Sequence, residues 1–499
     1  MGLINFMKNK IRHFIVDTVG STQPIVINQR VDFFGSCAIN RIWYRGDSQE
    51  LMDLYRQLDV PGEMFWHSVN SAGQDMRRIH TGLPKLIVKV LTNIVINDYD
   101  GVEFGDTNAS TLSQEIWKKI EEKNHIDKML ERCIKNTLVT GDGAFKISFD
   151  RRISDLPIIE FIKGENIDFE YERGNITEVV FTTEYVHSGQ KYEFKEHYGY
   201  GYIKYELLNS NGKRIQNNSI PQTEWVKSDG VTFDDTVILA VPVLYGENEK
   251  YDGRGESIFE GKLDNFDSFD EVWSQWMDAL RTNRTKEYIP VGLLPVNEKT
   301  GETLKPNPFD NRFIAIADNM SSANADNKVV RENGVIPHDS YLATYITALD
   351  LCLQGIISPS TLGIDTKKLD NSEAQREKEK TTLYTRGNIV EMLNGAIPKL
   401  VVCAVCANQI WLKQPVDKPQ NVSVKFGEYA NPSFESQVET VGKAKAQNII
   451  STETAVDELY GDSRTKEWKK EEVERIKAEQ GIIEVEESGA SDDGFQVGF

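Results

Sequence analysis

The chain reads as an α+β protein of several domains, and three observations predict this. Apolar residues recur at three- and four-residue steps over 83–97, 112–138 and 263–286, the spacing that lines one face of a helix. A contiguous block from 158 to about 241 alternates apolar and polar residues between turn signals, the period of an antiparallel meander. Residues 372–411 keep a helical pattern interrupted only by Gly387, Gly395 and Pro398. At ~1.5 Å per residue such a helix would span ~60 Å, more than an ordinary globular domain needs. Helices and strands fall in separate runs, as in an α+β architecture.

Taken in order, 4–15 carries a short amphipathic pattern and the chain to residue 40 is otherwise irregular. Asp47 and Glu50 form a capping pair for a helix carrying Leu51, Leu54, Tyr55 and Leu58, which Pro61-Gly62 ends. Pro84 suits the first turn of the helix over 83–97, where no backbone donor is needed. Gly141-Asp142-Gly143 stops the next helix and starts a strand at 144–149. In the meander, strands 179–185 and 192–198 turn at Ser188-Gly189, and 202–207 turns at 209–212. The stripe Leu263, Phe266, Phe269, Trp273, Trp276, Met277, Leu280 marks a long amphipathic helix. Asp264, Asp267 and Asp270 lie early in it and Arg281, Arg284 and Lys286 late, matching the helix dipole. A Gly/Asn/Pro-rich insert over 288–337 follows, with short strands at 291–294 and 313–317. Asp339 or Ser340 then caps a helix with Leu342, Ile346, Leu349, Leu353 and Ile356 on one face. Ser358-Pro359-Ser360 breaks the pattern before a loop carrying Thr361, Asp365, Lys367, Lys368 and Asp370. The long helix behind this loop is polar in its first half and apolar in its second. Gly395 and Pro398 predict a kink there, because proline removes a donor and clashes with the Asn394 carbonyl. A strand over 422–426, three helical segments and an acidic tail end the chain.

With 499 residues, 39% apolar and 27% charged, the chain is long enough for two to four folded domains. A net charge of −20 argues against nonspecific attachment to nucleic acid or anionic membrane. The longest apolar run, 396–407, contains Pro398 and Lys399 and is too short to span a bilayer. The first residues lack the pattern of a signal peptide. The five cysteines (Cys37, Cys133, Cys352, Cys403, Cys406) are few and odd in number and fit buried thiols in a reducing compartment. Cys403 and Cys406 form a CxxC inside an apolar helical pattern, which favours packing over redox or metal chemistry. The sequence has no GxxxxGK[ST] phosphate loop. Gly253-x-Gly255 reads as a turn, and Asp98-Tyr99-Asp100-Gly101 as a surface turn rather than a calcium loop. The seven histidines are scattered, without HExxH spacing, so neither a metal nor a cofactor is predicted. Trp273 and Trp276 read as packing residues rather than a base-stacking platform. Catalysis has no recognisable motif.

Three stretches together resemble the portal (head-to-tail connector) proteins of tailed bacteriophages. They are Asn40-Arg41-Ile42-Trp43-Tyr44-Arg45-Gly46-Asp47 with Arg78-Ile79-His80-Thr81-Gly82-Leu83-Pro84; Gly253-Arg254-Gly255-Glu256-Ser257 through Trp273 to Arg284; and Ser358-Pro359-Ser360-Thr361-Leu362-Gly363 to Lys380. The resemblance implies a multidomain subunit that assembles as a twelve-copy ring around a channel. Residues 1–260 would form the wing, 261–287 and 339–357 the stem helices, and 288–338 the clip between them. Residues 358–371 would form the tunnel loop, 372–431 the long wing helix and strand, and 432–499 the crown. Stem packing would fall to Phe266, Phe269, Trp273, Trp276, Leu280, Ile346, Leu349 and Leu353. The loop residues Thr361, Asp365, Lys367, Lys368 and Asp370 would face double-stranded DNA, with the two lysines either touching phosphates or solvated and paired with Asp365 and Asp370. The resemblance further implies a virion component, assembled in the host cytoplasm, that meets the terminase, head-completion or adaptor proteins, and capsid and scaffolding proteins. It implies no enzymatic activity. The competing expectations are a nucleic-acid-processing enzyme without a recognisable motif, or another capsid or scaffold protein.

Overall fold

The structure, a computed structural model, describes residues 12–16, 25–29, 31–58, 65–68, 76–105, 108–283, 286–290, 297, 299–300, 313–316, 330–332, 334, 336–337, 338–364, 372–427, 434–447, 449–460 and 466–479. The fold is mixed helix and sheet, in two compact units, Met1–Gly427 and Glu428–Phe499.

In the first unit β1 (Arg12–Val16) pairs antiparallel with β2 (Ile25–Gln29), so the end of the amphipathic 4–15 segment is a strand. Helix α1 (Phe33–Arg45) follows, where the sequence reads as irregular. Asp32 Oδ1 accepts from the Gly35 amide at 2.8 Å, and Gly46 closes the helix in the left-handed region. Asp47 caps α2 (Ser48–Gln57) as expected, accepting from the amides of Gln49 and Glu50. The Glu50 carboxylate turns instead to Arg45. Helix α3 (Leu83–Asn97) starts at Gly82 with Pro84 in its first turn and buries Ile87, Leu91 and Val95. Residues 99–101, expected as part of a surface turn, belong to β3 (Tyr99–Glu103).

The single helix expected over 112–138 is two, α4 (Asn108–Asn124) and α5 (Ile126–Thr140). His125 separates them at φ 51°. Asn124 holds the junction: its amide group donates to the carbonyls of Ile120 and Pro157 and its oxygen accepts from the Ile159 amide. Gly141 ends α5 and feeds β4 (Asp142–Ser148), which pairs antiparallel with β5 (Ile158–Lys163). The meander runs β6 (Ile167–Glu172), β7 (Asn175–His187), β8 (Gln190–Gly199), β9 (Tyr202–Asn209), β10 (Arg214–Ile215), with β11 (Gly230–Thr232) also on β9. The turn at Ser188-Gly189 has both residues at positive φ, which matches the twist of a two-residue hairpin. Strand β12 (Ala240–Leu244) then completes the three-stranded sheet on the other side of β4.

Helix α6 (Leu263–Thr282) leads to a small sheet in which β13 (Lys286–Pro290) lies between β14 (Phe313–Ile316) and β15 (Val330–Glu332). The strand expected at 291–294 lies outside the described residues. Helix α7 (His338–Leu353) returns, with Pro337 rather than Asp339 or Ser340 at its cap position. Helix α8 (Ser372–Trp411) runs its whole predicted length. Its helical pattern is unbroken at Gly395 and Pro398, which lie inside it and line a cleft of about 1290 Å³ beside β12. By length and composition alone its stretch Lys380–Trp411 is long and apolar enough to cross a membrane. Half of that stretch's most apolar window is buried within the chain. Strand β16 (Ser423–Phe426) closes the unit on β3. One continuous core joins α3, α5, β4, β12, the base of α6 and α7, and α8, through Ile87, Ile134, Phe145, Phe266, Leu353 and Val401.

In the second unit α9 (Phe434–Ala446), α10 (Thr452–Tyr460) and α11 (Lys466–Glu479) follow one another. Ser451 caps α10, accepting from the Thr454 amide. Tyr460 meets Trp468 edge to face, and Lys469 pairs with Asp457.

Candidate functional site

Helices α6 and α7 form an antiparallel hairpin. Lys262 Nζ, just before α6, donates to the carbonyls of Leu351 and Gln354 at the end of α7 at 3.2 and 2.7 Å, and Asn265 donates to Leu351 as well. A cation on these free carbonyls stabilises the helix C-terminus. Along the pair, Tyr345 lies between Phe269 and Trp273, with ring centres 5.0 and 5.6 Å away. Trp276 stacks on Tyr341 and meets His338 and Tyr345 at its edges. The aromatic stripe therefore packs helix on helix, as its spacing predicts.

The predicted stem residues divide by depth. Phe266, Phe269, Leu349 and Leu353 are buried at the base, whereas Trp273, Trp276 and Ile346 are half-buried and Leu280 is 39% exposed. On α7, Leu342 and Leu351 are also exposed, so this helix is apolar on more sides than the chain itself covers.

The base of α6 is held by buried polar groups. Asp267 accepts from the Trp66 amide at 2.6 Å, from the His67 amide, and from His67 Nδ1. Asp270 accepts from His80 Nδ1 at 2.5 Å and from the Thr81 amide and hydroxyl at 2.9 and 2.8 Å. Ser274 accepts from the Ile79 amide and donates back to its carbonyl. Asp267 and Asp270 are thus buried acceptors that pin residues 66–67 and 80–81 to the helix, not solvated partners of its dipole. Arg78 donates to the His67 carbonyl, and Trp43 donates to the Tyr55 hydroxyl at 2.8 Å with its ring against both histidines.

Gly253-x-Gly255, read from sequence as a turn, carries a second buried centre. Arg254, 7% exposed, reaches Asp142, fully buried. Nη2 donates to Asp142 Oδ1 at 3.2 Å, and Nε lies 2.8 Å from Oδ2, although its N–H is not aimed along that contact. The guanidinium also donates to the carbonyls of Ile167 and Gly164, at 3.0 Å each, and to Asp168, and it lies over the Phe33 ring. Burial pushes the Asp142 carboxyl up to about 6 against the pull of Arg254. Gly141 and Gly255 touch through their backbones: a Cβ on Gly141 would lie 2.2 Å from the Gly255 carbonyl oxygen.

Residues 353–364 fold back in successive turns, with Gly355 and Gly363 at positive φ. They are stapled to α8: Thr382 Oγ1 accepts from the Ser358 amide at 2.9 Å and contacts Thr361 Oγ1 at 3.1 Å, and Thr385 donates to the Ile356 carbonyl at 2.6 Å. Thr361 is therefore tied to the helix. Asp365, Lys367, Lys368 and Asp370 lie outside the described residues. Farther along α8, Arg386 donates to Asp98 at 2.7 Å, so Asp98 anchors the long helix. Beside the loop, Leu383 is 41% and Tyr384 70% exposed.

The cysteines carry no disulfide. Burial pushes Cys406 up to about 11 and Cys352 and Cys403 up to about 12, so their thiolates are scarce at neutral pH.

No family model matches the chain, and no curated protein matches it. Among solved structures it is similar to a chain of the virion of a native gene transfer agent particle (12% identity, 83% of this chain and 93% of that one, TM-score 0.38). Chains from the neck of the native particle, computed with C12 symmetry, and from the neck of the empty particle, computed with C6 symmetry, match similarly. Their identities are 10 and 11%, their TM-scores 0.36 and 0.39, with 77 and 80% of this chain and 91 and 94% of those chains covered.

Proposed function

We propose that the chain is the portal subunit of a tailed-phage-like particle, a ring-forming conduit for double-stranded DNA without catalysis of its own. The observation that carries this is the hairpin α6–α7. It is rooted at its base by buried polar networks, bears a separate small sheet between its arms, and leads directly into a stapled loop and a forty-residue helix. Among the described residues its apolar side chains Leu280 and Leu342, and Leu351 at the base, are exposed. Neighbouring copies would cover them in a closed ring with heterologous contacts. The helix–insert–helix–loop–helix order also matches the three stretches by which the sequence resembles portals. The acidic chain would give DNA a weakly adhering passage. Lys367 and Lys368 would supply local contacts to phosphate, and the insert would meet the terminase and head-completion proteins.

The test is the mass of the purified full chain. Twelve copies of a 56.7 kDa chain make a ring of about 680 kDa with closed cyclic symmetry, and averaged top views would show an axial hole. A stable monomer or dimer under all assembly conditions, or nuclease activity, would reject the proposal.

A further inference from the structure

We propose that His67, His80 and Asp270 bind one divalent transition-metal ion of the Zn²⁺ class, clamping residues 67 and 80 to α6. Each of the three offers a ligand atom, and these atoms lie within 4.8 Å of one another. The placement of His67 carries the inference. This residue is fully buried, and its Nδ1 is engaged by the Asp267 carboxylate. That bond puts the proton on Nδ1 and leaves a lone pair on Nε2. Nε2 has no hydrogen-bond partner and lies 3.7 Å from Asp270 Oδ2, which is itself an acceptor. Two buried acceptors that face one another call for a cation between them.

The surroundings fit a metal ligand. A histidine that binds a metal through one ring nitrogen typically gives the other N–H to a carboxylate, which fixes its orientation, and Asp267 occupies that role for His67. The third ligand is His80 Nδ1, 2.5 Å from Asp270 Oδ2. Its other nitrogen faces Gly46, where an added Cβ would lie 3.0 Å away. On binding, the ion takes the place of the proton shared between His80 Nδ1 and Asp270, which leaves to solvent, and no oxidation state changes. Metal–ligand distances of about 2.0–2.2 Å need ligand atoms about 3.4 Å apart in a tetrahedron. The histidine–carboxylate contact therefore opens by about 1 Å while the His67 side closes slightly. A water completes the set. With His67 buried and the Trp43 ring against both histidines, the ion would act as a structural clamp. This inference is independent of ring assembly.

The experiment strips the full chain with chelator, reloads it with Zn²⁺ or Co²⁺, and measures bound metal after gel filtration. The expected result is one equivalent per chain, with tetrahedral Co²⁺ absorption bands. His67→Gln and His80→Asn lose the metal, Asp267→Asn weakens binding about 10- to 100-fold, and His338→Ala, an exposed histidine, leaves it unchanged. If the histidine variants fail to fold, X-ray absorption on the Zn²⁺-loaded wild-type chain decides the matter: two imidazole nitrogens and carboxylate oxygen support the site, and sulfur ligands overturn it. A wild-type chain that binds no metal, or metal retained in folded His67 and His80 variants, also overturns it.

Discussion

Replacing Arg254 by Met keeps the aliphatic bulk over Phe33 and removes the guanidinium from the β4–α5 hub. Asp142 is fully buried, and its remaining contact would be the Gly255 amide at 3.4 Å. Breaking one side of a buried pair typically costs 3–5 kcal/mol. Protonation limits the charge part of that loss, because neutralising a carboxyl that already stands at about 6 in the native chain costs about 1.4 kcal/mol at pH 7. The carbonyls of Ile167 and Gly164 left without donors add to it. The pH dependence follows in sign. The Asp142 carboxyl already stands above its unfolded value in the native chain, so its contribution to stability is greatest in acid and is lost as pH rises through about 6. Without Arg254 it stands higher still, so the folded variant takes up a proton over a wider range. The deficit should therefore narrow by roughly 1 kcal/mol between pH 7 and pH 5. Urea unfolding followed by tryptophan fluorescence reads both effects. Asp142→Asn combined with Arg254→Met should recover part of the loss. A deficit below about 1 kcal/mol at pH 7, or one that widens at pH 5, would refute the reasoning.

Other perturbations separate the parts of the framework. Gly141→Ala should destabilise by well over the ~1 kcal/mol expected for backbone strain alone, because its Cβ meets the Gly255 carbonyl. Gly82→Ala, also at positive φ but with nothing within 4 Å, should show only the strain, and equal losses in the two would contradict the close approach. Thr382→Val removes the acceptor for the buried Ser358 amide and should cost about 1–3 kcal/mol; hydrogen exchange at Ser358 should accelerate, and unchanged protection would count against the staple. Thiol reagents at neutral pH should modify the native chain slowly and all five cysteines rapidly after unfolding.

Local signals made much of this fold legible. The apolar face of α3, the Ser188-Gly189 hairpin, the aromatic stripe of α6 and the full extent of α8 each follow from spacing within a single element. Features that depend on distant partners were not legible. Helix α1 interleaves its buried Phe33, Cys37 and Trp43 with Asn40 and Arg41, and Arg41 bonds Asn136 and Glu165 far along the chain. The left-handed turn at His125 has no glycine to announce it. Asp267 and Asp270 looked like partners of the helix dipole because the strap they bind lies nearly two hundred residues earlier. Arg254 looked like part of a turn because Asp142 is not a neighbour in sequence. The glycines flanking Arg254 were the available clue, since close backbone approach is one reason for a GxG pair. His67 and His80 are thirteen positions apart and match no metal motif, and only folding brings them to one carboxylate.

The most direct test of the proposed role is the mass and symmetry of the assembled full chain beside Leu342→Asp, which places a carboxylate on the uncovered face of α7. The wild-type chain should form closed rings of about 680 kDa with an axial hole, and the variant should stay folded but fail to assemble. A wild-type chain that never closes into a ring, or a variant that assembles as well as the wild type, would contradict the account.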